Sequence, residues 1–176
     1  MLDFRRMLAF RRCPAPGPLS LRLALILLLA ALFTACAPAA RDDPAQARPE
    51  LESALRDYLP QLAEAYRVRD ATVLEGVAVE KEIATVHRWI EEATARGEWI
   101  DTTLGSMTIE DVSVSRGTAY VNTLEVWDVV RHAHGSDEIL ARYDDQRYRV
   151  RYQMGRDMEG AWQVYFRQST RLETGG

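Results

Sequence analysis

A chain of 176 residues with a formal charge of −4 and 47% hydrophobic residues is long enough for one domain that folds on its own core. Its two cysteines and three histidines, His87, His132 and His134, are too few for a zinc cage or haem attachment, and no cofactor is implied. The acidic balance argues against a nucleic-acid partner, because phosphate binding needs concentrated positive charge.

Arg5, Arg6, Arg11, Arg12 and Arg22 precede the apolar run "LALILLLAALFTA", residues 23–35. That run is about two thirds of the length a membrane-crossing helix needs, so residues 1–35 read as a bacterial export signal. Met7 offers a second possible start. Phe33-Thr34-Ala35-Cys36 then resembles the lipobox of bacterial lipoproteins, in which small residues let a signal peptidase cut before a cysteine bearing diacylglycerol. Phe33 stands where leucine is usual. The resemblance implies lipidation of Cys36 and a protein held on a membrane by its acyl chains, each buried methylene contributing about 0.8 kcal/mol. Cleavage near Ala37-Pro38-Ala39 to free a soluble domain, and an uncleaved anchor, are the alternatives. Cys13 falls in the leader, so the mature domain has no disulfide. Ala37 stands where an aspartate would signal inner-membrane retention, which points to the outer membrane in a Gram-negative cell.

Removing residues 1–35 takes away five arginines and Asp3, leaving 17 basic and 25 acidic groups and a net charge of −8. Residues 36–49, the lipidated cysteine followed by "APAARDDPAQARP", hold three prolines and little apolar surface, and read as a flexible tether. The folded domain is expected over residues 50–172, with a disordered tail at 173–176.

Leu51, Leu55, Leu59, Leu62 and Tyr66 recur at three- or four-residue spacing and predict a helix to about Arg69. Pro60 predicts a kink or the start of a second helix within it. Asp70 caps a short further helix, "ATVLEGVA", with Gly76 as its break. Val79, Ile83, Val86, Ile90 and Ala93 form one face of the clearest helix, which Gly97 ends. His87, four residues before Glu91, reads as a surface pairing.

After Gly97 the period changes to two. Alternation slips between Ile109 and Val112, as in a bulged strand, and Arg116-Gly117 makes a tight turn. "TAYVNTLEVWDVVRHA", residues 118–133, carries apolar residues on both faces and reads as a central strand. "QRYRVRYQM" is a half-buried strand with a basic outer face, and "AWQVYFRQS" returns with Trp162, Val164 and Phe166 inward. His132 and His134, beside Asp137 and Glu138, read as a solvated strand end or a weak metal site. Asp144-Asp145 lacks the spaced ligands of a calcium loop.

Three N-terminal helices followed by a meander of about four strands predict an α+β domain with the helices on one face of an antiparallel sheet. This order, with "TAYVNTLEVWDVV", "YRVRYQM" and "GAWQVYF", resembles the nuclear-transport-factor-two-like superfold, also called cystatin-like. More narrowly, the strands are similar to the small domain named after the intermembrane-space part of a chloroplast-division protein, and to envelope lipoproteins with a related domain. The resemblance implies a curved sheet around a long helix, with a conical pocket whose concave face would hold Glu125, Trp127 and Tyr152. It does not imply a function. Glu125 is open to two readings: a base that abstracts a proton from a carbon acid, as in the isomerase branch of that superfold, or a structural residue at the edge of the sheet or paired with a strand arginine such as Arg149 or Arg151. Trp89, on the charged side of its helix, is either a partner surface or is covered by the loop after Gly97.

The expectation is a lipid-anchored protein of the bacterial cell envelope whose domain binds an envelope protein or a small apolar ligand without catalysis. An isomerase- or dehydratase-like enzyme using Glu125, and a structural module of an envelope complex, are the alternatives. No nucleophile elbow, phosphate loop or dinucleotide fingerprint is present.

Overall fold

The computed structural model describes residues 43–173; the expected export signal, Cys13, Cys36, the tether up to residue 42 and residues 174–176 of the tail lie outside the described residues. Helix α1 spans Pro44–Val68, a single 3-10 turn spans Ala71–Leu74, and helix α2 spans Glu80–Ala95. Four strands follow: β1 Glu98–Ser115, β2 Thr118–Ala133, β3 Ile139–Arg156 and β4 Trp162–Arg171. They form one antiparallel sheet in the order β1-β2-β3-β4. The α+β class and the meander agree with the expectation, but the described residues contain two α-helices, not three.

The helix-forming stripe of α1 buries Leu51, Leu55, Tyr58, Leu59, Leu62 and Ala65. Asp43 caps its start, the carboxylate accepting from the Ala45 N–H at 3.0 Å, with Pro44 in the first turn where no partner is lost. Pro60 does not divide this helix. Its missing ladder bond and ring clash cost about 3 kcal/mol. Burying Tyr58, Leu59 and Leu62 on either side contributes roughly 1.5–3 kcal/mol per side chain, which outweighs that cost. The helix also starts within the stretch expected as tether: Ala47 is buried, and Arg48 Nη2 donates to the Ile109 carbonyl at 2.7 Å.

The expected helix "ATVLEGVA" is the shortest element. Asp70 does cap it, accepting from the Thr72 N–H at 2.9 Å, but Gly76 at φ 89° ends the turn. Residues 77–79 then run beside β4, where Val164 N–H donates to the Val77 carbonyl and Val79 N–H to the Val164 carbonyl, each at 3.0 Å. This pairing satisfies backbone groups that a helix would have satisfied internally, and it covers part of an edge strand.

Strand β2 has the expected bounds, entered from β1 by a turn with Arg116 at φ 53° and Gly117 at φ 73°, the pair of positive values a two-residue hairpin requires. The slip in β1 lies between Ile109 and Asp111, as the sequence predicts, and a second lies between Leu104 and Ser106. A further shift, between Gln153 and Met154 of β3, makes Tyr165 the extra residue on β4. It corrects the expectation for Phe166. Trp162 and Val164 face inward before the bulge, but the inserted residue reverses the parity, so Phe166 is exposed and Arg167 turns in. The Tyr165 ring occupies the space above Gly155, where a Cβ would stand 1.9 Å from its Cε2.

Candidate functional site

The alternation of β2 sends Ala119, Val121, Thr123, Glu125 and Trp127 to the helix-covered face, all of them buried. Val150 and Tyr152 of β3 and Arg167 of β4 join them there. Together with Leu62 and Tyr66 of α1 and Ile100 and Thr102 of β1, part of this set lines a partly open cavity of about 180 Å³. A wider groove of about 550 Å³ near Glu50, Arg156 and Trp162 is open to solvent, and the Arg156–Glu50 ion pair at 2.8 Å occupies its wall.

Glu125 is 1% exposed and lines the cavity. Its Oε1 accepts from the Thr123 hydroxyl at 2.7 Å and from the Tyr152 hydroxyl at 2.6 Å, and its Oε2 from the Trp127 indole N–H at 2.8 Å. Thr123, Glu125 and Trp127 can meet because they alternate on one strand, and Tyr152 meets them because Val121 is its register partner. Neither arginine proposed for Glu125 reaches it. Arg149 pairs with Glu110 at 3.0 Å and Arg151 lies 4.8 Å over the Tyr120 ring, because both point to the opposite face of β3. Burial, and then the Glu125 charge, push the Tyr152 phenol well above its ordinary value, so it stays a neutral donor.

A second buried carboxylate was not anticipated. Glu82 of α2 is fully buried; its Oε1 accepts from Tyr58 at 2.9 Å and from Arg167 Nε at 3.0 Å. Arg167 Nη2 donates to the Tyr66 hydroxyl at 2.9 Å, and the guanidinium lies 4.8 Å over the Trp89 ring. Burial alone would lower the Arg167 value, but the phenols of Tyr58, Tyr66 and Tyr152 and the Glu82 charge outweigh it and hold the group above its usual range. Burial likewise pushes Tyr58 well up. Tyr58 and Tyr152 meet edge to face at 6.1 Å, linking the two carboxylate clusters.

Of the sequence-predicted residues, Glu125, Trp127 and Tyr152 are brought together, with the first two on the cavity wall. Trp89 is half-buried, and one face of its ring is taken by Arg167. His87 pairs with Glu91 at 3.4 Å on the surface. His132 stacks on Trp99 at 4.0 Å, and among the described residues no group of three or more His, Cys, Asp or Glu is arranged to hold a metal ion. Glu82 was findable, since it lies three residues after Val79 and four before Val86 on the apolar stripe. Arg167 had no such signal, because the Tyr165 bulge that turns it inward leaves no mark in the alternation.

The intermembrane space region of the chloroplast protein ARC6 matches this structure with a TM-score of 0.59, at 17% identity, over 75% of this chain and 99% of that one. The two share a fold. A periplasmic fragment of TraM matches with a TM-score of 0.50, at 8% identity, over 71% and 98% of the two chains. A domain of unknown function with a cystatin-like fold from Nostoc punctiforme matches with a TM-score of 0.40, at 19% identity, over 70% and 78%. The fold is therefore the one that the ARC6 intermembrane space region adopts. No protein-family model matches the chain, and no curated protein matches its sequence. At these identities the likeness establishes the fold alone.

Proposed function

We propose that this domain is a non-catalytic binding module of the bacterial cell envelope, taking a small apolar group, free or borne by an envelope protein, into the cavity beside Glu125. One observation carries the reading. Three of the roughly four lone-pair sites of Glu125 are filled by donors of its own fold. The Tyr, Trp and Thr donors that would otherwise polarise a substrate oxygen are thereby engaged with the carboxylate itself. Apolar walls from Leu62, Ile100, Val129 and Val150 supply the affinity that burial of a small apolar group gives.

Native mass spectrometry of the full chain released from its own membranes tests this. A bound small molecule that disappears on substituting Val129→Phe, which fills the cavity, supports the reading; an empty protein in both forms, with no protein partner lost, overturns it. A second reading, proton abstraction by Glu125, is favoured by its burial at the cavity wall. Glu125-dependent exchange of deuterium into a carbon acid such as a cyclic ketone would support that enzyme and displace the first reading.

For location, Cys36 and the leader carry the proposal of a lipid anchor, and an origin outside the cytoplasm is supported by the intermembrane and periplasmic regions that share this fold. Fatty-acid labelling that persists in a Cys36→Ser variant would refute the anchor.

A further inference from the structure

The polar atoms on the cavity wall differ in what they still have to offer. Arg167 donates through Nε and one Nη2 hydrogen, while its Nη1 has no partner among the described residues. Glu125 Oε2 accepts a single hydrogen bond and keeps a free lone pair. Thr102 Oγ1, also on the wall, is buried with no partner among the described residues. A buried hydroxyl without a partner in a site that already holds a donor and an acceptor points to a polar group of a ligand, which would satisfy it.

The charges restrict that group. Arg167 and Glu82 balance each other at 3.0 Å, so among the described residues Glu125 is the one cavity-wall charge with no ionic partner, and three neutral donors surround it. An anionic end would bring a second negative charge against Glu125; an ammonium end would be drawn to Glu125 but would be desolvated in the same small cavity as the Arg167 guanidinium, so either charged end is buried beside a like charge.

We infer that the ligand is a small uncharged molecule with an apolar body and a hydroxyl or primary amide end, which accepts from Arg167 or the Thr102 hydroxyl and donates to Glu125. This rests on the pocket-binding reading above. The cavity of about 180 Å³ suits one substituted ring, not a fused polycycle.

Five probes of similar size separate the possibilities: benzyl alcohol, benzamide, benzoate, benzylamine and toluene, added to the isotope-labelled full chain in nanodiscs, with empty nanodiscs as the blank for partitioning. The Trp127 indole N–H resonance is the readout. Saturable shifts with benzyl alcohol and benzamide, and at least tenfold weaker binding of the other three, are expected. Benzoate or benzylamine binding as tightly as the alcohol overturns the uncharged end while leaving the pocket reading intact, and so does toluene binding equally well. No saturable shift with any probe overturns both. Val129→Phe is expected to abolish every shift with an unchanged far-ultraviolet circular dichroism spectrum; shifts that survive it come from elsewhere and count against the assignment.

Discussion

Two buried carboxylates face the same interior, yet the fold stabilises them by different means. Glu82, on a helix, is held by a cation: Arg167 reaches it from β4, and Tyr58 adds a second bond. Glu125, on a strand, is held by three neutral donors, two of them from its own strand and one from β3. The strand solution is local, because period-two alternation places Thr123 and Trp127 on either side of Glu125. The helix solution is long-range, joining residues 85 positions apart in the chain. A buried charge with a distant partner depends on the whole assembly, whereas one satisfied within a hairpin depends on little beyond it.

Removing the distant partner gives the largest expected effect. Arg167→Met leaves Glu82 buried without its counter-charge and should cost about 3–5 kcal/mol in urea unfolding. Adding Glu82→Gln should recover part of that loss; a single-variant cost below about 1 kcal/mol would show that Arg167 does not compensate Glu82. Glu125→Gln comes next, since the amide presents an N–H where a donor already points, and hydrogen bonds to a charged group contribute roughly 1.5–3 kcal/mol each. A loss of about 2 kcal/mol is expected, smaller than for Arg167 because no opposite charge is stranded. An equal or larger loss would erase the contrast between the two clusters.

The tyrosines of both clusters predict an alkaline limit. In the folded chain Tyr58 and Tyr152 lie well above 10.0, chiefly through burial, while in the unfolded chain they ionise near that value. Below about pH 10 both states hold the proton and the stabilisation is complete. As the pH rises further the unfolded chain releases protons that the folded one retains, so stability falls. Thermal melts between pH 9 and 11 should show this decline, and Tyr152→Phe should make it shallower; an unchanged slope would mean that Tyr152 titrates normally. The smallest effect belongs to the exposed Arg56–Glu52 pair at 2.7 Å, four residues apart on α1. Glu52→Gln should change stability by less than about 0.5 kcal/mol, and a larger change would place surface pairs on a par with the buried ones.

Much of the strand half was legible because its signals are local. The bounds of β2, the turn at Arg116-Gly117 and the slip after Ile109 follow from alternation and from backbone angles that few residues adopt. Glu125, Trp127 and Tyr152 were legible as residues of one face for the same reason. The helical half was less so. Of the two readings of Pro60, a second helix starting there lost to packing, and "ATVLEGVA" carried a helical spacing that lost to pairing with Val164. Both misreadings weigh a local preference of a few kcal/mol against contacts formed only by distant parts of the chain.

The chain's own order of residues determined the α+β class, the antiparallel meander and the placing of Glu125 with Trp127 on one face of β2, because side-chain direction along a strand follows from its period of two. Only the tertiary structure decided that Arg167 enters the interior, that Glu82 is its counter-charge and that a cavity is lined by Arg167 and Glu125 together. The physical reason is the single extra residue at Tyr165. One inserted position reverses which side chains face the core, and whether a strand accommodates it depends on the ring space above Gly155 and on the partners waiting across the sheet.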